Sequence, residues 1–173
     1  PLHFSHHDFI FDQGNIICDD TDLESAREEQ INQVDQIIKQ NHFPIVIGGG
    51  HETALGDYLA LSQSYQNIGI INLDAHFDLR KPTIHSTSGT PFYEMAMYCK
   101  QNNRTFHYLP IGIQELGNTK ALFKRAEDLG VHFITAHEVH LNLNKVLEDI
   151  KQFINQFDAL YVSLDMDVFD AAY

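Results

Sequence analysis

Two periods of apolar residues run through the chain, one typical of helices and the other typical of buried strands. Residues 22–40 carry apolar side chains at helical spacing, and Asp20 or Thr21 is available to cap the first turn. Gly130 is placed to end a later helix. The further helices predicted by this spacing cover residues 52–65, 91–101, 118–130 and 143–157.

Five apolar runs of strand length complete the pattern, at residues 44–50, 68–73, 105–113, 131–135 and 159–164. Each run is almost continuously apolar, which is typical of strands buried on both faces of a parallel sheet. Helices alternating with such strands predict one α/β domain over residues 1–173, a three-layer α-β-α sandwich around a mainly parallel sheet. Because the chain begins without Met and stops just after an acidic cluster, we expect an incomplete fragment of a longer protein.

The acidic composition limits the possible partners. The formal net charge is −13, whereas a nucleic-acid or anionic-membrane partner would require basic patches. No apolar run approaches the length that spans a membrane. Cys18 and Cys99 are too few for a disulfide framework, so we expect buried thiols, a reducing compartment and a cytoplasmic location.

Polar side chains cluster where the strand at 68–73 ends, in the sequence IINLDAHFDLR. Asp74, His76 and Asp78 stand at every second position, so they point to one side if the extended geometry continues past Leu73. A solvated surface does not usually follow a strand this apolar. We therefore interpret the cluster as part of a functional site.

Two other predicted strands deliver polar residues to the same edge of the sheet. Asp165 and Asp167 follow the strand at 159–164, and His51 follows the strand at 44–50. Open α/β sheets bind ligands beyond the carboxyl ends of their strands, so we expect the three clusters to meet there. Taken alone, each cluster has a simpler interpretation. His51 fits a structural histidine, the glycines before His51 fit a phosphate cradle, and paired aspartates fit a solvated acidic surface.

Four aspartates in one cleft repel one another by several kcal/mol unless a cation compensates their charge. Carboxylate and imidazole donors without cysteine suit Mn²⁺, with Mg²⁺, Fe²⁺, Co²⁺ or Zn²⁺ as alternatives. Six donors exceed what one ion with an open coordination position needs. We therefore predict two Mn²⁺ ions per subunit, about 3.5–4 Å apart and bridged by carboxylates.

The segments GGGHE, NLDAHFDLR and SLDMDVFD resemble, in this order, the three metal-binding motifs of the arginase/agmatinase/formimidoylglutamase (ureohydrolase) family. The resemblance covers essentially the whole chain and implies an arginase-like fold. Carried over position by position, it implies these ligands: His51 and Asp78 for the first ion, His76 and Asp167 for the second, and Asp74 and Asp165 as bridges.

The resemblance also implies hydrolysis of an amidine or guanidine by an activated water. Asp78 would take part as a ligand, and Asp170 would support the collapsing intermediate or the ligand loop. The segments DAHFDLR…SGTPF and IGIQELGNTKAL are most similar to formimidoylglutamases, which hydrolyse N-formimidoyl-L-glutamate to glutamate and formamide. Arginases and agmatinases have a proton-shuttling His roughly where Phe92 stands here, and His85 lies earlier in the loop.

Four residues are expected to contact the substrate. Arg80 would clamp a carboxylate bidentately, although a surface arginine is the simpler interpretation. Ser88 and Gly89 offer a hydroxyl and a backbone N–H. Asn118 is interpreted either as a pocket residue or as part of a helix N-cap.

Other functions stay open at this point: an agmatinase or guanidinobutyrase, a metal-binding but inactive subunit and, more remotely, a mononuclear zinc deacetylase. Ala171 stands where the wider family has Pro, and the family's substrate-contacting Glu would lie after Tyr173. His6 and His7 face opposite ways in an extended chain, so we do not expect them to share an ion. We expect a small-molecule substrate and a homo-oligomer.

Overall fold

The computed structural model describes residues 10–18 and 22–169, and its centre is a sheet of four strands in the order β3-β2-β1-β4. All three strand pairs are parallel, as predicted. The register between β1 and β4 is unbroken and aligns Leu73 with Leu164, so both strands end at the same level. The bounds are β1 Ile68–Leu73, β2 His107–Ile113, β3 Ile134–Thr135 and β4 Ala159–Leu164.

The helices of the described residues agree with the predicted ones, with one addition. The N-cap of the first is Asp22, whose carboxylate accepts the Ser25 N–H at 3.2 Å, whereas the predicted caps Asp20 and Thr21 lie outside the described residues. The addition is the short helix α5, which a capping box between Thr135 and Glu138 stabilises. The bounds are α1 Leu23–Lys39, α2 Thr53–Ser64, α3 Pro91–Gln101, α4 Lys120–Asp128, α5 Ala136–Leu141 and α6 Leu143–Ile154.

Successive side chains of β1 point into two different cores. Ile68 and Ile70 pack with residues of α2, α3 and α4, whereas Ile71 belongs to a second cluster on the opposite face. The second cluster includes Val146 of α6, and α1 packs against α2. The predicted α-β-α sandwich is therefore confirmed, and the alternation along one strand produces it.

The segment 44–50, predicted as a buried strand, is an exception, and this prediction is wrong for the structure. It is not part of the sheet, and the side chains of Ile45 and Ile47 are 74% and 91% exposed. A strand forms only where a neighbouring strand satisfies its backbone N–H and C=O groups. Within the described residues, the outer edge of β4 has no strand partner and does not reach this segment.

A groove of about 660 Å³ separates the segment from β4, and we call it the β4 groove. Phe43, Pro44 and Val46 line one side of it, while Leu160 and Val162 line the other. Both sides therefore expose apolar side chains that a parallel sheet would normally bury.

Two smaller predictions concern cysteines and membranes. Cys99 is buried on α3 as predicted, but Cys18 is exposed, contrary to the prediction of two buried thiols. In the part of the chain that the structure describes, no helix has the length and apolarity needed to cross a bilayer.

Candidate metal centre

The loop after β1, residues 74–78, carries three of the predicted ligands. β1 ends at Leu73, and Asp78 adopts a left-handed conformation with φ of 46°. The extended geometry, which was the condition for the three side chains to point to one side, therefore does not continue past the strand. The loop bends because the Asp74 carboxylate accepts the His76 N–H at 2.7 Å, a local bond that competes with strand geometry. Because of this bend, the Asp78 side chain lies beside His51, whereas the His76 side chain lies beside Asp167.

The first group of donors gathers around His51. Its Nδ1 lies 2.9 Å from Asp78 Oδ2, 3.2 Å from Asp74 Oδ2 and 3.3 Å from Asp165 Oδ2. His51 comes from the loop before α2, and Asp165 follows β4 directly. Three separate segments therefore contribute to one small volume at the carboxyl edge of the sheet.

The second group gathers around His76 and lies closer to solvent. His76 Nδ1 is 2.8 Å from Asp167 Oδ2 and 3.6 Å from Asp74 Oδ1. Asp167 stands in a short 3₁₀ turn after β4, and its other oxygen accepts the Ala75 N–H at 3.1 Å. This bond fastens the end of β4 to the loop after β1.

Asp74 is common to both groups. It is fully buried, and it turns Oδ2 toward His51 and Oδ1 toward His76. Asp165, predicted as a second bridge, contacts His51 through Oδ2 while its Oδ1 accepts the Asp167 N–H at 3.0 Å. The structure thus brings all six predicted metal ligands together, and Asp74 has the geometry of a bridge.

The electrostatics of the first group favour a positive charge. Burial by itself would lower the pKa of His51, but the close carboxylates of Asp74 and Asp78 outweigh it and raise the pKa to about 10. Burial also raises the pKa of Asp78, with the neighbouring Asp74 charge adding to it and His51 opposing it. Crowded carboxylates therefore hold a proton on His51 in the absence of another cation.

The donors fit a divalent metal ion. His51 Nδ1 is buried without a hydrogen-bond partner of good geometry, although three carboxylates surround it. A cation between this nitrogen and these oxygens would satisfy all of them. Oxygen and imidazole donors without thiolates suit a hard or borderline ion such as Mn²⁺.

Two residues that hold the ligands were not predicted from the sequence. Ser163 Oγ lies 2.7 Å from His51 Nε2, a contact that leaves Nδ1 facing the aspartates. Asn72 is buried and donates to Asp74 Oδ2 at 3.0 Å. Asn72 lies two positions before Asp74 on β1, and Ser163 lies two positions before Asp165 on β4. The alternation of side chains along a strand, which predicted the ligands, could therefore also have identified these two residues.

The predicted substrate residues lie in the loop that follows the ligands. The Arg80 N–H donates to Gly89 O at 2.9 Å, and the Arg80 side chain covers Gly89 so closely that a Cβ there would lie 3.0 Å from Cδ. Arg80 and Ser88 are exposed. Among the described residues, no carboxylate lies within 4.0 Å of the Arg80 guanidinium, so its charge is available to a ligand.

Other predicted residues fall in different surroundings. Asn118 is buried, its amide bonds to backbone groups of the ligand loop, and the N-cap of α4 is the following residue, Thr119. Phe92 is fully buried with its ring perpendicular to that of His51, at a centroid distance of 5.3 Å. His85 is exposed, and Asp170 lies outside the described residues. The substrate contact predicted for Asn118 and the role predicted for Asp170 stay predictions.

Comparisons with known proteins agree with this fold and site. The sequence pattern of the Arginase family matches residues 2–173. A formimidoylglutamase of Aeromonas salmonicida (strain A449) is 39% identical in an alignment of 167 residues that covers 94% of this chain and 53% of that protein. The crystal structure of the Bacillus subtilis formimidoylglutamase has a TM-score of 0.84 at 22% identity, over 96% of this chain and 53% of the other. A Trypanosoma cruzi formiminoglutamase variant with Mn²⁺ has a TM-score of 0.78 at 24% identity, over 91% and 52% of the two chains.

The chain therefore belongs to the arginase family. Both structural likenesses, at identities below 25%, show that the fold is shared. The chain spans about half the length of the curated relatives that it matches.

Proposed function

We propose that the chain carries the metal centre of a binuclear manganese hydrolase that cleaves N-formimidoyl-L-glutamate into L-glutamate and formamide. The observation that carries the proposal is Asp74, which is fully buried and directs one oxygen to each donor group. A shared carboxylate of this kind is suited to bridging two divalent ions. The relative from Aeromonas salmonicida is named formimidoylglutamase, and the Trypanosoma cruzi neighbour was solved with Mn²⁺.

The protein residues would define two adjacent ion sites. His51 and Asp78 would hold one ion, His76 and Asp167 would hold the other, and Asp74 would contact both. When bound, a Mn²⁺ pair supplies Lewis acidity and hydroxide near neutral pH. The buried ring of Phe92 packs against His51 and excludes water from that side of the site.

The residues after the ligand loop would bind the charged end of the substrate. N-Formimidoyl-L-glutamate carries two carboxylates, whereas agmatine is cationic, so an arginine near the metals favours the former. Arg80 stands two residues after Asp78, is exposed and has no carboxylate partner among the described residues. Its guanidinium can bind a carboxylate through two parallel hydrogen bonds.

Product analysis tests the substrate. Full-length protein loaded with Mn²⁺ is assayed for formamide release from N-formimidoyl-L-glutamate and for urea release from agmatine and 4-guanidinobutyrate. We expect formamide and no urea. Urea without formamide would contradict the substrate, and two bound ions without turnover of any of the three would indicate an inactive metal-binding subunit.

A pair of adjacent substitutions tests the carboxylate clamp. Arg80→Ala should raise KM for formimidoylglutamate about 10–100-fold, since a charge-assisted hydrogen bond contributes about 1.5–3 kcal/mol. Lys81→Ala is the control, because Lys81 is also exposed but lies over the ring of Tyr93. Equal KM values in the two variants would remove Arg80 from the substrate site.

A further inference from the structure

Asn118 is a buried polar residue whose bonds all go to the backbone. It stands two residues before α4 and is only 8% exposed. Its Oδ1 accepts the Phe77 N–H at 3.1 Å. Its Nδ2 donates to Ala75 O at 2.9 Å and to Gln114 O at 2.8 Å.

The first two of these bonds enclose His76. Ala75 O belongs to the peptide group before the His76 Cα, and Phe77 N–H belongs to the peptide group after it. The orientation of these two peptide planes sets the direction in which the His76 side chain leaves the backbone, because only φ and ψ are soft. One amide therefore fixes the direction of the imidazole from both sides.

The rest of the loop before α4 reinforces this arrangement. Gln114 N–H donates to Ala75 O at 3.0 Å, so the same carbonyl accepts a second bond. Gly117 lies against the imidazole, since a Cβ at Gly117 would be 3.4 Å from His76 Nε2. The segment 114–118 thus supports both the backbone and the ring edge of His76.

The first donor group has supports that do not involve Asn118. Ser163 contacts His51, and Asn72 donates to Asp74. The hydroxyl of Tyr108 donates to Phe77 O at 3.0 Å, which holds the backbone just before Asp78. Loss of the Asn118 amide should therefore disturb His76 more than His51 or Asp78.

We propose that Asn118 is a positioning residue that aligns His76 and thereby sets the affinity of the second metal ion selectively. The proposal rests on the two-ion centre of the proposed function. It gives Asn118 a role in metal binding that acts through the backbone and needs no contact with the substrate. Residues that orient metal ligands in this way typically change affinity about 10–100-fold when they are removed.

Stepwise Mn²⁺ binding by the full-length protein tests this selectivity. Isothermal titration calorimetry gives the two dissociation constants for Mn²⁺. Electron paramagnetic resonance distinguishes single Mn²⁺ ions from exchange-coupled pairs. In Asn118→Ala we expect the second dissociation constant to rise about 10–100-fold, while the first changes less than about threefold. The signal of coupled pairs should give way to that of single ions at substoichiometric loading.

Asn67→Ala is the matched control. The Asn67 amide also donates to a distant carbonyl, Gln156 O at 2.8 Å, but it does so at the opposite end of β1. This variant should lose stability without changing the ratio of the two dissociation constants. If Asn118→Ala does not fold, Asn118→Asp, which keeps the size and the acceptor but loses both N–H donors, is measured instead and should show the same selectivity.

The outcomes are distinct. Equal weakening of both ions, or no weakening, in the folded Asn118 variant overturns the positioning role. Wild-type protein that binds fewer than two ions overturns the proposed two-ion centre itself, whatever the variant does.

Discussion

The two sides of the site differ in how the chain supports them. On the closed side, formed by β1, β2, α3, α4 and the loop 74–78, core residues such as Phe77 and Leu79 are fully buried. On the open side, formed by residues 43–51 and β4, Ile47 and Val162 are 91% and 57% exposed. The two sides nevertheless contribute comparable numbers of donors to one centre.

The aspartates of the closed side are more buried than those of the open side, but the two histidines show the reverse order, since the side chain of His76 is 41% exposed and that of His51 is 8% exposed. Asp74, on the closed side, has no exposed side-chain surface, whereas the side chain of Asp167 on the open side is 43% exposed. Large exposed apolar surfaces on both sides of the β4 groove are typical of an interface that other polypeptide covers. The curated relative from Aeromonas salmonicida is about twice as long as this chain. Within the described residues, the closed side is thus the more completely packed support of the centre.

The largest effect is expected at the residue that both donor groups share. Asp74→Asn keeps the shape of the side chain but removes the charge, so both ions should be lost and the formimidoylglutamate hydrolysis proposed for the full-length protein should fall roughly 10³-fold or more. Asp167→Asn, on the open side, should release one ion and leave the other. Elemental analysis after gel filtration, with the formamide assay, checks both variants. Retention of two ions in Asp74→Asn would contradict the bridging geometry.

Truncation of one apolar side chain on each side of the site should lower the free energy of unfolding by very different amounts. Phe77 is fully buried between the rings of Phe123 and Phe133, and Phe77→Ala should lower the free energy of unfolding by about 3–5 kcal/mol. Ile47→Ala should change it by less than about 0.5 kcal/mol, because that side chain is exposed. Urea denaturation measures both. A comparable loss in the two variants would mean that the open side is packed in solution.

The partly buried carboxylate of Asp57, which lines the β4 groove, should make stability depend on pH. Burial raises the pKa of Asp57 from 3.8 to about 6, although hydrogen bonds from Gln30 and Tyr161 oppose the shift. The folded state therefore binds this proton more tightly than the unfolded state, so stability decreases as pH rises from about 4 to about 6. Asp57→Asn should remove this decrease and stabilise the protein by about 1–2 kcal/mol at pH 7.

Urea denaturation at pH 4.5 and pH 7.5 checks this prediction. Gln30 Nε2 donates to Asp57 Oδ1 at 2.7 Å, and an asparagine at position 57 can still accept that bond. A variant with the same pH dependence as the wild type would show that the Asp57 carboxylate is solvated in solution.

The smallest effect concerns the free edge of β4. Val162→Lys places a charge on an exposed strand that has no partner on one side within the described residues. Charged side chains on edge strands discourage strand pairing between molecules. The 173-residue chain should self-associate less, as measured by light scattering, while its unfolding free energy changes by less than about 0.5 kcal/mol. Unchanged association would argue that the β4 edge is already covered.

Local patterns were sufficient to predict most of the fold. The continuous apolar runs of β1, β2 and β4 and the helical spacing of α1 and α3 are properties of short segments, and they predicted elements close to those observed. Residues 45–47 are just as apolar, but the segment 44–50 forms no strand, because strand pairing depends on a neighbour that this pattern cannot reveal. Helix α5 was missed because its stability comes from a capping box and not from apolar spacing.

The candidate site was predictable in membership but not in geometry. Alternating positions after apolar strands located Asp74, His76 and Asp78, yet the bend that separates His76 from Asp78 depends on hydrogen bonds within the loop. The role of Asn118 depends on contacts with residues some forty positions away, which no local pattern contains. Sequence thus identifies the donors, and tertiary contacts determine how they are shared.

Anomalous diffraction at the manganese edge, from crystals of the full-length protein grown with Mn²⁺, tests the two-ion centre most directly. We predict two peaks about 3.5–4 Å apart, one beside His51 and one beside His76, with an Asp74 oxygen on each. A single peak, or two peaks that do not both contact Asp74, would contradict this prediction.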